Sequence, residues 1–421
     1  MVNVVLRLNP LAATKTHMRR AEVFETRTMK TNKDILNKML DETSISVERE
    51  RTAFARLVFP FGRSLVLFGA GKLGRQALVQ LRQDGIEPLA FTDNNPAIWN
   101  KFVDGVKVLP PAEASERFGR NAAFVVTIWS PNSHHQFAET KRKLQDQNCT
   151  TIVSFLPLMW KYSDEFLPNC YIDFPHKICL EREEVIKAYD LFDDDESRIT
   201  YITQLQWRML DNFDELPACS LETQYFPASI IELSSDEVFV DCGAYNGDTI
   251  KKFLEETKNS YKFIYGFEPD PLNFWELTNY LQISVPKEYA SIFQKAVGSQ
   301  NEKLRFIATG TASSAIDING NDEVESIPLD HIFEEIKPTF IKMDIEGKEI
   351  DALIGAKKVI QQTLPTLAIC VYHKQNDLWK IPLLIKSYSR DYHLYLRAHQ
   401  EDGWDVVCYA IPTSKIKSGD Y

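Results

Sequence analysis

The chain has 421 residues, of which 44% are hydrophobic and 25% are charged, and its formal net charge at pH 7 is -11. A chain of this length exceeds a single ordinary core, so we expect two domains. The acidic balance argues against nucleic-acid binding, which needs a basic face, and no apolar run approaches the roughly 18 residues of a membrane span. The 7 cysteines contain no Cys-x-x-Cys pair, which fits a reducing compartment. We therefore expect a cytoplasmic protein with no nucleic-acid partner and no membrane span.

Residues 1–60 carry the weakest fold signal. Residues 1–20 contain four basic side chains and no acid, which faintly resembles a transit peptide; a frayed or locally helical terminus is the alternative. Apolar spacing between Ile35 and Leu57 predicts helices that pack on the domain that follows. We interpret residues 1–60 as a helical, partly disordered extension.

A first glycine-rich turn follows the apolar segment Leu65–Phe68. Gly69, Gly71 and Gly74 form a Gly-x-Gly-x-x-Gly pattern that opens a helix, and the next predicted strand ends at Asp93. Such glycines hold phosphates at a helix N-terminus, and such an acid accepts a ribose. The alternative is that the glycines merely serve a tight turn.

Strand and helix alternate through residues 61–160, which predicts a Rossmann-like nucleotide-binding domain. This region resembles the small N-terminal domain of some sugar-modifying acyltransferases and methyltransferases, and that resemblance implies a nucleotide-linked sugar as ligand. Residues 161–236 change to helical spacing interrupted by prolines and an acidic run, and we interpret them as a helical connector.

A second glycine-rich turn follows the buried segment that ends at Asp241. Its pattern, with Gly243 and Gly247, departs from the dinucleotide fingerprint, and the preceding acid suits a cationic ligand such as S-adenosylmethionine better than a pyrophosphate. Glu268 ends the next predicted strand, where a carboxylate accepts both hydroxyls of a ribose. Residues 237–421 close with two strands around Gly403, which predict an antiparallel hairpin. A parallel sheet finished by such a hairpin is typical of a class I methyltransferase.

Five blocks of this half resemble the FkbM-type S-adenosylmethionine-dependent methyltransferases. They read Val-Asp-Cys-Gly-Ala-Tyr-Asn-Gly-Asp-Thr, Phe-Glu-Pro-Asp-Pro, Lys-Ala-Val-Gly, Ile-Lys-Met-Asp-Ile-Glu-Gly-Lys-Glu and Val-Tyr-His-Lys, and they extend over about residues 237–412. The resemblance implies O-methylation of a hydroxyl on a sugar, glycan or glycosylated natural product. It also implies a role for each cofactor residue: the methionine part would contact Asp241, Gly243, Tyr245, Asn246 and Gly247, the ribose Glu268, and the adenine side Asp270 and Ala296.

The catalytic candidates are Asp344, Glu346 and His373, which end neighbouring predicted strands. Open α/β sheets place their sites at this edge, and one of the three could be the base that removes the hydroxyl proton. Alternatively, the two carboxylates, with the histidine, could ligate a divalent cation that acidifies the hydroxyl. The acids could also simply cap the next helix, and Ser313 and Ser314 could either line the acceptor pocket or form a plain turn.

Three classes of function remain open from the sequence. The first is an O-methyltransferase whose N-terminal domain recognises a sugar. The second is an NAD-dependent sugar oxidoreductase that uses the first fingerprint, although no Tyr-x-x-x-Lys proton relay lies near it. The third is a non-catalytic protein that binds nucleotides in both halves.

Overall fold

The computed structural model describes residues 32–129, 135–217, 219–312, 314–333 and 335–416. The transit-peptide expectation for residues 1–20 and the acceptor-loop expectation for Ser313 lie outside the described residues.

A six-stranded sheet forms the first half of the chain, in the order β3-β4-β2-β1-β5-β6. Its strands are β1 (Leu65–Phe68), β2 (Ala90–Thr92), β3 (Phe102–Val103), β4 (Val106–Leu109), β5 (Ala123–Val126) and β6 (Thr151–Val153). All neighbours pair in parallel except β3 and β4, a short hairpin that the sequence did not reveal. Fully buried residues make up β1 and β5, as both faces of this parallel sheet are covered.

Helices surround this sheet and lead into the connector. They are α1 (32–40), α2 (Thr43–Leu57), α3 (Lys72–Gln83), α4 (Pro111–Phe118), α5 (Phe137–Asp146), α6 (Leu156–Lys161), α7 (Ser163–Phe166), α8 (Pro175–Leu180), α9 (Arg182–Asp190) and α10 (Asp195–Leu210). Within the acidic run, Asp194 caps α10 by accepting from the Ser197 N–H at 2.8 Å, and it also pairs with Arg397 at 2.6 Å. The connector is therefore anchored to the C-terminal half.

The C-terminal half contains two sheets. Its strands are β7 (Val238–Cys242), β8 (Phe263–Phe267), β9 (Ala290–Phe293), β10 (Ala296–Val297), β11 (Glu302–Ile307), β12 (Ala315–Ile316), β13 (Asp322–Ile327), β14 (Phe340–Met343), β15 (Thr366–Cys370), β16 (Tyr392–Ala398) and β17 (Val406–Pro412). Its helices are α11 (Asp248–Glu256), α12 (Pro271–Ser284), α13 (Glu349–Gly355), α14 (Lys357–Thr363) and α15 (Asp377–Tyr388).

The larger of these sheets has the order β16-β17-β15-β14-β7-β8-β9. It is parallel except at β17, which pairs antiparallel with both β15 and β16. The predicted α/β class, with a largely parallel C-terminal sheet and a terminal hairpin, is confirmed. The domain boundaries stay predictions.

The smaller sheet is a finding that the sequence did not indicate. Strands β10 and β11 join β12 and β13 in a separate, largely antiparallel sheet, ordered β10-β13-β11-β12. Most residues of β11 and β13 are exposed, and an antiparallel sheet tolerates one solvated face. None of the described helices has both the length and the apolar character to cross a membrane.

Helix α13 packs tightly on the segment after β10. A Cβ at Gly355, the last residue of α13, would lie 2.0 Å from the backbone oxygen of Gly298. This contact fixes the position of α13, which begins at Glu349, against the segment after β10.

We expect Gly355→Ala to destabilise the fold by about 1–3 kcal/mol, because the added methyl must push the backbone of Gly298 aside. Gly62→Ala is the matched control, since its Cβ would meet nothing within 4 Å. Thermal unfolding of both variants measures the difference. Equal melting temperatures for the two would contradict this packing.

Candidate active site

The turn after β7 passes against the end of β14. Gly243 has φ +77°, which favours glycine, and a Cβ there would lie 1.9 Å from the backbone oxygen of Asp344. Gly247 has φ +91° and caps α11, while Tyr245 and Asn246 between them are partly exposed. The predicted cofactor turn and the predicted catalytic segment are therefore in direct backbone contact.

Glu268 lies beside this turn with its carboxylate already oriented. One carboxylate oxygen accepts the Tyr245 N–H and the other accepts the Asp270 N–H, each at 2.9 Å. Burial raises the pKa of Glu268 to about 7, although these two N–H groups lower it in part. The side chain is preorganised as an acceptor at the carboxyl end of β8, where a ribose diol would bind.

Asp241 forms a buried ion pair that the sequence did not predict. Its carboxylate lies 2.9 Å from the Lys342 ammonium, and both side chains are almost fully buried. Lys342 also donates to the backbone oxygen of Gly243 at 2.7 Å. Burial raises the pKa of Asp241 to about 6 despite the attraction of Lys342. Lys342 thus links β14 to the glycine turn, and the Asp241 carboxylate is one partner of a buried ion pair.

Two other expected cofactor residues have structural contacts of their own. Asp270 caps α12 through the N–H groups of Leu272 and Asn273, at 2.8 and 3.2 Å, and accepts the Ser314 hydroxyl at 2.7 Å. Ala296 is buried in β10 of the smaller sheet. The proposed contact of Asp270 with adenine therefore competes with four local hydrogen bonds, since the Gly310 N–H also donates to it at 3.0 Å.

The three catalytic candidates do come together, with a fourth residue among them. His373 Nε2 lies 3.3 Å from Asp344 Oδ1 and 3.8 Å from Glu346 Oε2, while its Nδ1 is 2.8 Å from Glu349 Oε1. Glu349 is fully buried and also accepts the Ile345 N–H at 2.9 Å. We call Asp344, Glu346, Glu349 and His373 the carboxylate–histidine cluster.

Charge in this cluster determines which member can act as a base. Burial opposes a charge on His373, but Glu349, Glu346 and Asp344 outweigh it and raise the pKa of His373 well above its usual value. These carboxylates therefore favour the imidazolium form of His373, which has no free lone pair with which to accept a proton. The base must be sought among the carboxylates.

The pKa values of Asp344 and Glu346 shift in opposite directions. Burial opposes the charge of Asp344, but His373, Lys342 and the Tyr225 hydroxyl hold the pKa of that carboxyl below its usual value. Burial raises the pKa of Glu346 to about 7, and the attraction of His373 offsets only part of that rise. Glu346 also has φ +54°, a strained conformation for a residue with a side chain, and such strain gathers at functional sites.

The sequence analysis did not predict several residues that contribute to this site. Tyr225, in the connector, donates to Asp344 Oδ2 at 2.7 Å, and Tyr372 donates to Asp344 Oδ1 at 3.3 Å. Burial also raises the pKa of Asp405, beside Tyr372, to about 6. Lys342 and Glu349 lie in the block Ile-Lys-Met-Asp-Ile-Glu-Gly-Lys-Glu, so the sequence pattern could have indicated them as site residues. Tyr225 lies in no such block, and no sequence pattern indicated it.

A metal ion would need a different charge state here. Asp344, Glu349 and His373 each offer one ligand atom, and these atoms lie within 4.8 Å of one another. Glu346, which the sequence suggested as a ligand with Asp344, is not in this group. A metal binds neutral imidazole, whereas these carboxylates favour the imidazolium. The cluster as arranged favours hydrogen bonding.

The first glycine turn is separate from this cluster. Gly69 and Gly74 form close backbone contacts, while a Cβ at Gly71 would meet nothing within 4 Å. Asp93 follows β2 and accepts the Ala70 N–H at 2.8 Å. The predicted residues of the second nucleotide site thus lie together at the carboxyl ends of β1 and β2.

One protein-family model matches the region that contains the carboxylate–histidine cluster. Residues 241–400 match the family model of the methyltransferase FkbM domain. Methyltransferase FkbM from Methylobacillus flagellatus KT has a similar fold, with 22% sequence identity and a TM-score of 0.71, over 90% of this chain and 99% of that chain. The expected FkbM resemblance is confirmed for residues 241–400, and it supports an S-adenosylmethionine-dependent methyltransferase.

Other solved structures match more weakly. An rRNA methylase from Streptococcus thermophilus is 15% identical, with a TM-score of 0.28, over 43% of this chain and 89% of that chain. A Streptococcus mutans protein in complex with SAH is 11% identical, with a TM-score of 0.27, over 44% of this chain and 92% of that chain. These scores are too low to support an argument. No curated protein matches the chain significantly.

We expect Glu349→Gln to lower the pKa of His373, because it removes the carboxylate that accepts from Nδ1. A raised folded-state pKa stabilises the fold fully below the unfolded value of about 6.5, and that stability is lost as pH rises through the folded pKa. The variant should lose stability mainly at low and neutral pH. NMR titration of the His373 ring measures the pKa, and an unchanged value would rule out this pairing. Glu302→Gln, at an exposed position, is the control.

Proposed function

We propose that this protein is an S-adenosylmethionine-dependent O-methyltransferase that acts on a hydroxyl of a sugar, glycan or glycosylated natural product. The observation that carries the proposal is the backbone contact between the Gly243 turn and Asp344. It brings a carboxylate–histidine cluster to the edge of the crevice where a nucleoside would be held. A cofactor turn and a proton acceptor in one crevice are what methyl transfer to a hydroxyl requires.

The residues present fit S-adenosylmethionine. Glu268 offers a preorganised carboxylate to the ribose, and the glycine turn allows close approach of the methionine part. Lys342 neutralises Asp241, so Asp248 and Asp344 give this crevice its negative character, which suits a sulfonium and an ammonium. When bound, S-adenosylmethionine supplies a methyl group already activated for transfer. Tyr245, Asn246 and Gly247 would line the methionine part, with Asp270 and Ala296 on the adenine side.

The chain's own task is to remove the hydroxyl proton of the acceptor. Glu346 suits this task, since its pKa of about 7 lies near neutral pH and its side chain is 35% exposed. Asp344 stays ionised and, together with Glu349, holds the His373 imidazolium in place. His373 in turn stabilises the ionised form of Glu346 at 3.8 Å. In this arrangement Glu346 is the base, and Asp344 and His373 set its charge.

A divalent cation is a second candidate for activating the hydroxyl. Its support is the set of ligand atoms from Asp344, Glu349 and His373 within 4.8 Å. A cation there would lower the pKa of a bound hydroxyl. Loss of methyl transfer in a chelator, with recovery on adding Mg²⁺ or Mn²⁺, would favour this candidate over Glu346.

We expect Glu268→Gln to weaken binding of S-adenosylhomocysteine by about 10- to 100-fold, because a hydrogen bond to a charged group contributes about 1.5–3 kcal/mol. Calorimetric titration of the full chain measures this affinity. Glu288→Gln changes an exposed glutamate in the same half and should bind as the unmodified protein does. The cofactor assignment fails if the unmodified protein does not bind S-adenosylhomocysteine, or if both variants bind it equally well.

We expect kcat to rise with pH through about 7, as the Glu346 carboxyl ionises, and then to level off. Glu346→Gln should remove this rise and lower kcat by about 10²- to 10⁴-fold, with S-adenosylhomocysteine affinity retained. The measurement is transfer of a tritiated methyl group to a panel of sugars, glycans and nucleotide sugars. Full turnover by the variant would exclude Glu346 as the base.

A further inference from the structure

The crevice of the first sheet repeats a detail of the cofactor crevice. Asp93 accepts the Ala70 N–H with one carboxylate oxygen and the Asn95 N–H with the other, both at 2.8 Å. Glu268 accepts from the corresponding backbone positions, one in the preceding glycine turn and one two residues ahead of itself. The chain therefore holds two strand-end carboxylates in the same orientation, one in each sheet.

Both carboxylates also lie at the same point of their sheets. Strand β1 is flanked by β2 on one side and β5 on the other, all parallel, as β7 is flanked by β8 and β14. The connections diverge at such a position, which leaves a crevice at the carboxyl ends of the strands. Asp93 and the turn after β1 border the crevice of the first sheet.

The three glycines of this turn have different roles. Gly69 has φ +118°, and a Cβ there would lie 2.8 Å from the Thr127 backbone oxygen; a Cβ at Gly74 would lie 1.9 Å from the Gly69 backbone oxygen. Packing alone explains both. Gly71 has φ -77°, which any residue adopts, and it borders open space. Neither packing nor backbone conformation requires a glycine there, whereas a ligand that approaches the backbone would.

The two crevices differ in the charge of the side chains at the start of the helix that borders each one. Helix α3 begins with Lys72, carries Arg75 in its first turn, and has neither an acid in that turn nor a side-chain cap; both cations are exposed. Helix α11 begins with Asp248. The N-terminus of a helix is already positive, so two cations without an acid leave the first crevice ready for an anion. The second crevice has the opposite character.

We propose that the first sheet binds a nucleoside diphosphate, or a molecule that contains one. Asp93 accepts the ribose hydroxyls, and the phosphates lie over Gly71 at the start of α3, with Lys72 and Arg75 as counter-charges. This site is distinct from the S-adenosylmethionine site, where the same carboxylate geometry accompanies negative charge. Both crevices select a ribose, and the charge at the helix start selects the group attached to it.

The test is calorimetric titration of the full chain with ADP and with UDP, in the presence of saturating S-adenosylhomocysteine. We expect at least one of them to bind, its 2′-deoxy form to bind at least 10-fold more weakly, and Asp93→Asn to weaken binding about 10-fold or more. Gly71→Leu should abolish binding without lowering the melting temperature, because its side chain fills open space.

Three outcomes would overturn the proposal. They are the absence of binding by both nucleotides, binding that survives both Asp93→Asn and Gly71→Leu, and equal binding of the ribose and deoxyribose forms. Glu288→Gln is the control for the substitutions and should bind the nucleotide unchanged. Because S-adenosylhomocysteine binding is measured separately, failure here leaves the methyltransferase proposal standing, and failure there leaves this one standing.

Discussion

The close approach of two backbone segments organises the C-terminal half of this protein. The turn at Gly243 lies so near the backbone oxygen of Asp344 that no side chain fits between them. Lys342 reinforces the contact from within, since it pairs with Asp241 and donates to the Gly243 backbone oxygen. Removing either charge would leave the other buried and unpaired, which is costly. This constraint holds the Gly243 turn and the segment that begins at Asp344 in one crevice.

The carboxylate–histidine cluster depends on that constraint for its electrostatics. Three carboxylates surround one imidazole and favour its protonated form, and burial raises the pKa of one of them, Glu346, to about 7. Pairs of titratable groups with pKa values pushed apart mark the acid and base roles in many enzymes. Here the division falls between Asp344, which stays ionised, and Glu346, which titrates near neutrality.

The helical connector and the first half also contribute to the environment of the cluster. Tyr225 reaches from the connector to Asp344. On the hairpin side, Asp402 accepts the Phe137 N–H of the first half at 2.9 Å, and Trp404 packs on Trp129 with ring centroids 4.5 Å apart. Trp404 also lies near Tyr372, a partner of Asp344. Packed aromatic rings thus join the carboxyl end of the first sheet to the surroundings of the carboxylate–histidine cluster.

The sequence by itself determined the α/β class, the terminal hairpin and the positions of the two glycine turns. These features follow from local patterns: runs of apolar residues, glycines at fixed offsets, and acids at the ends of strands. The same patterns predicted Asp344, Glu346 and His373 as neighbouring site residues, because the carboxyl ends of parallel strands meet at one edge of a sheet.

Only the tertiary structure decided the charge of each group and the partners that set it. Tyr225 lies far from Asp344 along the chain, and Lys342 pairs with a residue about a hundred positions away, so no local pattern reveals either contact. The separate four-stranded sheet likewise depends on pairing between distant segments. Local sequence determines which side chains reach the crevice, whereas burial and the proximity of distant charges determine what each side chain does there.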